Sequence, residues 1–149
     1  MRHVRRWRAD DGSAALEVAT MGFILLVPLV YLVVVIGAIQ SAALAAEGAA
    51  RQAARVVTLS TTDAAARDAA ERAVTIALED ADVAGATVDV TLSCSPRPDR
   101  CVTRQGTVTV AVALDVPLPL VPAVYGAVPP SVPLEARSTQ RVSRFHVTE

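Results

Sequence analysis

The feature that most constrains the fold of this chain is an uncharged apolar stretch near its beginning. From Val18 to Ile39 the sequence holds 22 residues without a charged side chain. A helix rises about 1.5 Å per residue, so about 20 apolar residues cross the roughly 30 Å hydrocarbon core of a bilayer. The sequence therefore predicts a transmembrane helix over residues 13–40.

The charges on either side of this stretch predict its orientation. Four arginines lie in the leader MRHVRRWRADDG, whereas Arg51 and Arg55 are the first cations on the far side. Cations on short flanking segments are retained in the cytoplasm. We therefore expect residues 1–12 to form a cytoplasmic basic leader and residues 41–149 to form an extracytoplasmic domain of a single-pass protein of the cytoplasmic membrane.

A cleaved secretory signal also begins with cations, but its apolar region usually has about 7–15 residues. The present stretch is longer than that. The small residues at Ala43–Ala45 still leave open a cleavage after Ala45, which would release a small secreted protein.

The helical pattern continues past the apolar stretch as far as Leu59. Glu47, Arg51 and Arg55 recur every four residues and so share one face of a helix. Another face is built from small and branched apolar residues: Ala42, Ala45, Ala46, Ala49, Ala53, Val56 and Val57. Pro28 lacks a backbone N–H and is predicted to bend the helix in its membrane part.

The tract STTD that follows Leu59 ends this helix and supplies Thr62 or Thr61 as the N-cap of a second one. The second helix is predicted over Ala64–Asp82, with Gly85 as its C-terminal stop. Its apolar residues form one stripe, which we expect to pack against the rest of the domain.

After the second helix the hydrophobic period changes from about 3.6 to about 2, which predicts strands. The alternating segments are Thr87–Ser93 and Thr107–Val116. Cys94 and Cys101, the chain's 2 cysteines, lie between them. If the strands pair as a hairpin, the two cysteines can form a disulfide, and their spacing favours this over a metal or redox pair.

The segment Pro117–Leu134 contains six of the 9 prolines and is predicted to be an irregular or extended connection that lies over the sheet. A third strand is predicted over Leu134–Val147, with Arg137, Arg141 and Arg144 on its solvent side. The predicted fold class is therefore α+β, in which a long N-terminal transmembrane helix continues into a domain with a second helix and a small antiparallel sheet.

The sequence offers no arrangement of residues that suits catalysis. The net charge of −1 and the absence of a clustered basic face disfavour nucleic-acid binding. His3 and His146 are predicted on opposite sides of the membrane, and the acidic residues Glu79–Asp82 are best interpreted as a solvated helix face. We therefore expect no enzymatic activity, cofactor, metal ion or small-molecule substrate.

The junction between the leader and the apolar stretch resembles a known processing site. A short basic leader that ends in Gly12, followed by Ser13 and by Glu17 at the start of an apolar helix, is similar to the processing site of type IV prepilins and pseudopilins. The sequence EGAARQAAR and a small strand-rich domain further resemble the TadE family of minor pilins of Tad (Flp-type) pilus systems. Val18 stands where the major pilins of this class have tyrosine, so a minor pilin or pseudopilin fits better.

This resemblance implies cleavage after Gly12 by a membrane prepilin peptidase, which leaves Ser13 as the new N-terminus. The new α-ammonium and the carboxylate of Glu17 would neutralise each other at the edge of a low-dielectric slab. Glu17 would then set the register of neighbouring subunits. The implied partners are the peptidase, other pilin-like subunits and the Tad assembly platform, with possible incorporation into a pilus at the cell surface.

An alternative without processing is a permanently anchored extracytoplasmic binding module. Its Pro-rich segment and strand domain would recognise a cell-wall or protein partner. In that case Glu17 would be an interfacial acid without a role in assembly.

Overall fold

The computed structural model describes residues 11–83, 85–120 and 130–147, and for residues 11–14 it describes the backbone alone. The elements are α1 (Asp11–Leu59), α2 (Asp63–Asp80), β1 (Thr87–Ser95), β2 (Thr107–Pro117) and β3 (Ser131–Arg141). The chain divides into two compact units, Met1–Ile36 and Gly37–Glu149. The α+β class predicted from the sequence is confirmed.

Helix α1 is a single helix of 49 residues that begins in the first unit and ends in the second. It contains Pro28 without being ended by it. The predicted end at Leu59 is confirmed, and the side chain of Ser60 turns back to donate a hydrogen bond to the carbonyl oxygen of Val56 at 2.9 Å. The bend expected at Pro28 stays a prediction.

Helix α2 begins where its N-cap residue predicts. Thr62 has an extended backbone, and its hydroxyl oxygen accepts a hydrogen bond from the N–H of Ala65 at 3.2 Å. This bond satisfies one of the N–H groups that the first turn of a helix leaves without a partner. Of the two N-cap candidates, Thr62 is therefore the residue used.

The predicted C-terminal stop of α2 is wrong, because the helix ends at Asp80 and not near Gly85. Asp82 adopts the left-handed conformation with φ 52°, and its N–H bonds to the carbonyl oxygen of Glu79 at 3.0 Å. The N–H of Val83 reaches the carbonyl oxygen of Leu78 at 3.2 Å. These two bonds close a Schellman motif, in which aspartate takes the position that glycine most often fills.

The three strands form an antiparallel sheet in the order β1-β2-β3. Val112 at its centre pairs with Val90 of β1 and Ala136 of β3. Alternate residues of β2 are buried, namely Val108, Val110, Val112, Leu114 and Val116. The predicted alternation and hairpin are thus confirmed.

The predicted Pro-rich connection is too long and the third strand is misplaced. Pro117 is the last residue of β2, and β3 begins at Ser131 and ends at Arg141. Proline is tolerated at strand ends and on edge strands, where its missing N–H breaks no ladder bond, and Pro133 lies in the edge strand β3. The packing expected for residues 121–129 concerns a part of the chain outside the described residues.

One hydrophobic cluster joins both helices and the sheet in the second unit. It takes valine from β2 and alanine from the helices, together with Val74 and Leu78 of α2. In α1 its members are Ala42, Ala46, Ala49, Ala50, Ala53, Ala54 and Val57. The buried face of α1 differs from the predicted one: it includes Ala50 and Ala54, whereas Ala45 and Val56 are only half-buried.

The predicted disulfide is present. Cys94, the next-to-last residue of β1, is bonded to Cys101, and their Cα atoms lie 5.0 Å apart. The bridge closes a short loop between β1 and β2. In the loop-entropy account, a ring of about eight residues is worth about 2.5 kcal/mol through restriction of the unfolded chain.

The alanine face of α1 predicts a strong response to a larger side chain. Ala53→Leu should lower the free energy of unfolding by about 1–3 kcal/mol, because Ala53 is 0% exposed and its neighbours leave no room for an isobutyl group. The matched control is Ala64→Leu on the exposed side of α2, since leucine and alanine are both good helix formers. Thermal unfolding of the full chain in detergent micelles measures both, and similar melting temperatures for the two variants would contradict the described core.

The disulfide predicts a second stability difference. Cys94→Ser combined with Cys101→Ser should lower the free energy of unfolding by about 2.5 kcal/mol. A reducing agent should lower the melting temperature of the wild type to that of the double variant and leave the variant unchanged. A wild-type melting temperature that is insensitive to complete reduction would show that the bridge does not stabilise the fold.

Candidate functional site

The most unusual surface lies on the first part of α1, where large apolar side chains are exposed. Leu16 is 70% exposed, Val18 73% and Phe23 68%. Further exposed large apolar residues of this part are Met21, Ile24, Leu25, Leu26, Val27, Leu29, Val30, Leu32, Val33, Val34 and Ile36. A soluble monomer rarely exposes so large an apolar surface.

Helix α1 is long and apolar enough to cross a membrane. From Ala15 onward it contains an 18-residue window whose mean hydropathy is 2.8 and of which 0% is buried within the chain. A fully buried Leu, Ile, Val or Phe side chain gains about 1.5–3 kcal/mol over an exposed one. This part of α1 therefore requires apolar surroundings, which a bilayer, other helices or both can supply.

Small residues interrupt this apolar surface at two places. A methyl group added at Gly22 or at Gly37 would meet no atom within 4 Å, so the helix surface is open there. Such openings let a second helix backbone approach closely in an apolar medium. The polar hydroxyl of Thr20 is satisfied locally, since it donates to the carbonyl oxygen of Leu16 at 2.7 Å.

The predicted processing and assembly residues lie at the beginning of α1. Gly12 and Ser13 belong to its first turn, where only the backbone is described, and the leader up to residue 10 lies outside the described residues. Glu17 is exposed and follows Ser13 by four residues, so the two positions are neighbours on one helix face. The ion pairs described for the chain, Glu47–Arg51 and Glu135–Arg137, do not involve Glu17.

The described residues contain no group of three or more His, Cys, Asp or Glu side chains placed to hold a metal ion. Both cysteines are used in the disulfide. Glu79, Asp80 and Asp82 are exposed at the end of α2, as the interpretation of a solvated helix face predicts. His146 lies after β3, and His3 falls outside the described residues.

The structure also shows contacts that sequence reasoning missed. The N–H of Val102 donates to the Oδ1 atom of Asp63 at 3.0 Å and so links the β1–β2 loop to the first turn of α2. A cleft beside this contact is lined by three arginines of that loop, Arg97, Arg100 and Arg104. The sequence signal for this cleft is a group of three arginines within eight residues between two strands. That signal does not show that α2 begins beside them.

Sequence and structure comparisons add no assignment. No family model, no curated protein and no solved structure matches the chain. The resemblance to TadE-like minor pilins therefore rests on the residues from the leader to the end of α1.

Proposed function

We propose that this chain is a TadE-like minor pilin or pseudopilin that acts by assembly in a Tad (Flp-type) pilus or a related secretion system. One observation carries the proposal. The exposed apolar part of α1 has one acid, Glu17, four residues after Ser13 of a Gly-Ser junction, and the helix continues without interruption into the core of a small α+β unit.

The first step of the proposed function is insertion into the cytoplasmic membrane. The exposed apolar residues from Leu16 to Ile36 enter the bilayer, and the basic leader keeps the N-terminus in the cytoplasm. The unit Gly37–Glu149 is then extracytoplasmic, which is the compartment in which a disulfide such as Cys94–Cys101 persists.

The second step is removal of the leader. Hydrolysis of the peptide bond between Gly12 and Ser13 by a prepilin peptidase adds water and creates an α-ammonium on Ser13. That group lies one helical turn from Glu17, on the same helix or on a neighbouring subunit. Opposite charges attract more strongly at the edge of a low-dielectric region than in water, so this pair favours one axial register between packed helices.

The third step is side-by-side packing of apolar helices. The openings at Gly22 and Gly37 let helices approach closely, which is how helices associate where the hydrophobic effect does not act between them. In a filament or pseudopilus these contacts replace lipid contacts around α1. Within the second unit, the same helix is held by its alanine face.

A second candidate is a permanently anchored extracytoplasmic binding module, which the exposed apolar helix also supports. The two functions differ in processing and in the role of Glu17. Release of a secreted protein by cleavage after Ala45 is less favourable, because Ala42 and Ala46 are both buried in the core and this cut would divide α1 between them.

Processing provides the direct test. Protein extracted from membranes of a host with a prepilin peptidase should begin at Ser13 when its N-terminus is sequenced, and protein from an otherwise identical host without the peptidase should begin at Met1. An intact leader in both hosts would exclude the pilin proposal and favour the anchored module. A start at Ala46 would support secretion instead.

The role of Glu17 can be tested separately from processing. Glu17→Gln should leave the protein in the membrane but reduce its recovery with co-purified pilus subunits about tenfold, as expected for the loss of one interaction worth about 1.4 kcal/mol. Glu47→Gln is the matched control, because Glu47 is exposed and its pair with Arg51 lies on the solvent side of α1. Equal recovery of the two variants would count against a role of Glu17 in register.

A further inference from the structure

A basic cleft lies in the second unit, where the β1–β2 loop meets the N-terminus of α2. It has a volume of about 500 Å³, and the side chains that matter here are Arg97, Arg100 and Arg104 from the loop with Thr61, Thr62 and Asp63 from the start of α2. All three arginines are exposed. The lining therefore carries three positive charges and one negative charge.

The loop that carries these arginines is fixed at several points. The disulfide Cys94–Cys101 closes it, and the Asp63–Val102 bond ties it to α2. The hydroxyl of Thr103 donates to the carbonyl oxygen of Arg100 at 2.8 Å. A Cβ at Gly106 would lie 2.8 Å from the carbonyl oxygen of Thr103, so this turn is too tight for a side chain.

Two hydrogen bonds to backbone groups position charged side chains of the cleft. Asp63 accepts the N–H of Val102, so one of its carboxylate oxygens is already engaged with the loop. Arg104 donates its Nε–H to the carbonyl oxygen of His146 at 2.6 Å, which holds its guanidinium group in place. Neither of the two ion pairs between described residues involves the three arginines of the cleft.

We propose that this cleft binds a soluble polymer that carries several phosphate groups, such as a polyphosphate chain. Arginine presents a planar fork of N–H donors that matches phosphate oxygens in pairs. The N-terminus of α2 adds a favourable dipole, and the exposed hydroxyls of Thr61 and Thr62 add neutral donors. Three guanidinium groups distributed over the loop from Arg97 to Arg104 suit several linked phosphates better than one isolated phosphate.

A soluble polymer fits this site better than a lipid headgroup. The lining consists of charged and hydroxyl-bearing side chains with Val102 as its apolar member, and Val102 is buried in the core. A lipid-binding surface requires apolar side chains that enter the acyl region beside the cations. The inference does not depend on leader processing or on subunit assembly.

The test uses the full chain in nanodiscs of uncharged phosphatidylcholine and fluorescently labelled inorganic polyphosphate as the probe, read by fluorescence anisotropy. We expect the triple variant Arg97→Gln, Arg100→Gln and Arg104→Gln to weaken binding at least about tenfold, and inorganic monophosphate to compete poorly. The matched control is the triple variant Arg55→Gln, Arg67→Gln and Arg72→Gln, which removes the same charge from exposed helix positions outside the cleft and should change binding less than about twofold.

A second variant keeps the result interpretable if the triple variant does not fold. Arg97→Gln with Arg100→Gln retains the Arg104–His146 bond and should weaken polyphosphate binding at least about threefold with an unchanged melting temperature. Equal weakening by the cleft and control variants would show charge attraction alone and overturn the proposal. Lack of polyphosphate binding by the wild type, or binding to phosphatidylglycerol nanodiscs in its place, would also overturn it, while leaving the pilin proposal untouched.

Discussion

The constraint on which the rest of this structure depends is an apolar surface that the chain itself leaves uncovered. From Leu16 to Ile36 nearly every large side chain of α1 is exposed, and each would gain about 1.5–3 kcal/mol from full burial. A surface of this size cannot be stable in water, so the molecule requires a lipid or protein environment around the first half of α1. The first half of α1 is therefore long and apolar enough to span a membrane.

The second half of α1 is buried on one side and exposed on the other. There the buried residues are almost all alanine, and they occupy one side of the helix, while Glu47, Arg51 and Arg55 occupy the exposed side. These alanines belong to the same buried cluster as the valines of β2 and the apolar residues of α2. One uninterrupted helix thus changes from apolar on all sides to apolar on one side, which is the pattern expected where a chain leaves an apolar medium and enters a folded unit in water.

Much of this organisation could be predicted from the sequence because it depends on periodicity and on local chemistry. The alternation in β2 and the N-cap Thr62 are signals within a few residues, and the structure agrees with them. Strand β1 is also present, but its apolar face is less buried, since Val88 is exposed and Val90 is half-buried. The predictions that failed, the end of α2 and the start of β3, lie where two local sequence signals compete. Glycine is the usual residue at a helix stop, which favours Gly85, but Asp82 closes α2 with its own backbone bonds. Pro133 favours irregular structure in the sequence, but the edge strand β3 tolerates it.

The arginine cleft could not be predicted from the sequence, for a different reason. It lies where Asp63 and Val102, which are 39 residues apart, form a hydrogen bond. Periodicity carries no information about such contacts, since they depend on how helix and loop pack.

The arginine cleft and the beginning of α1 also differ in the free energy needed to place charged side chains there. Arg97 and Arg100 are exposed, where a cation is hydrated and inexpensive, so the energy available for a ligand comes from preorganisation of the loop by the disulfide and by Asp63. Glu17, in contrast, begins a segment that requires apolar surroundings, and an unpaired carboxylate in such a segment is unfavourable by up to about 2.5–3.5 kcal/mol at mid-depth. That cost falls if a positive charge is brought within one helical turn, and peptide-bond cleavage before Ser13 is a reaction that creates one there. Under the proposed processing and assembly, the acid at position 17 gains a nearby positive charge, whereas a passive anchor would leave it without one.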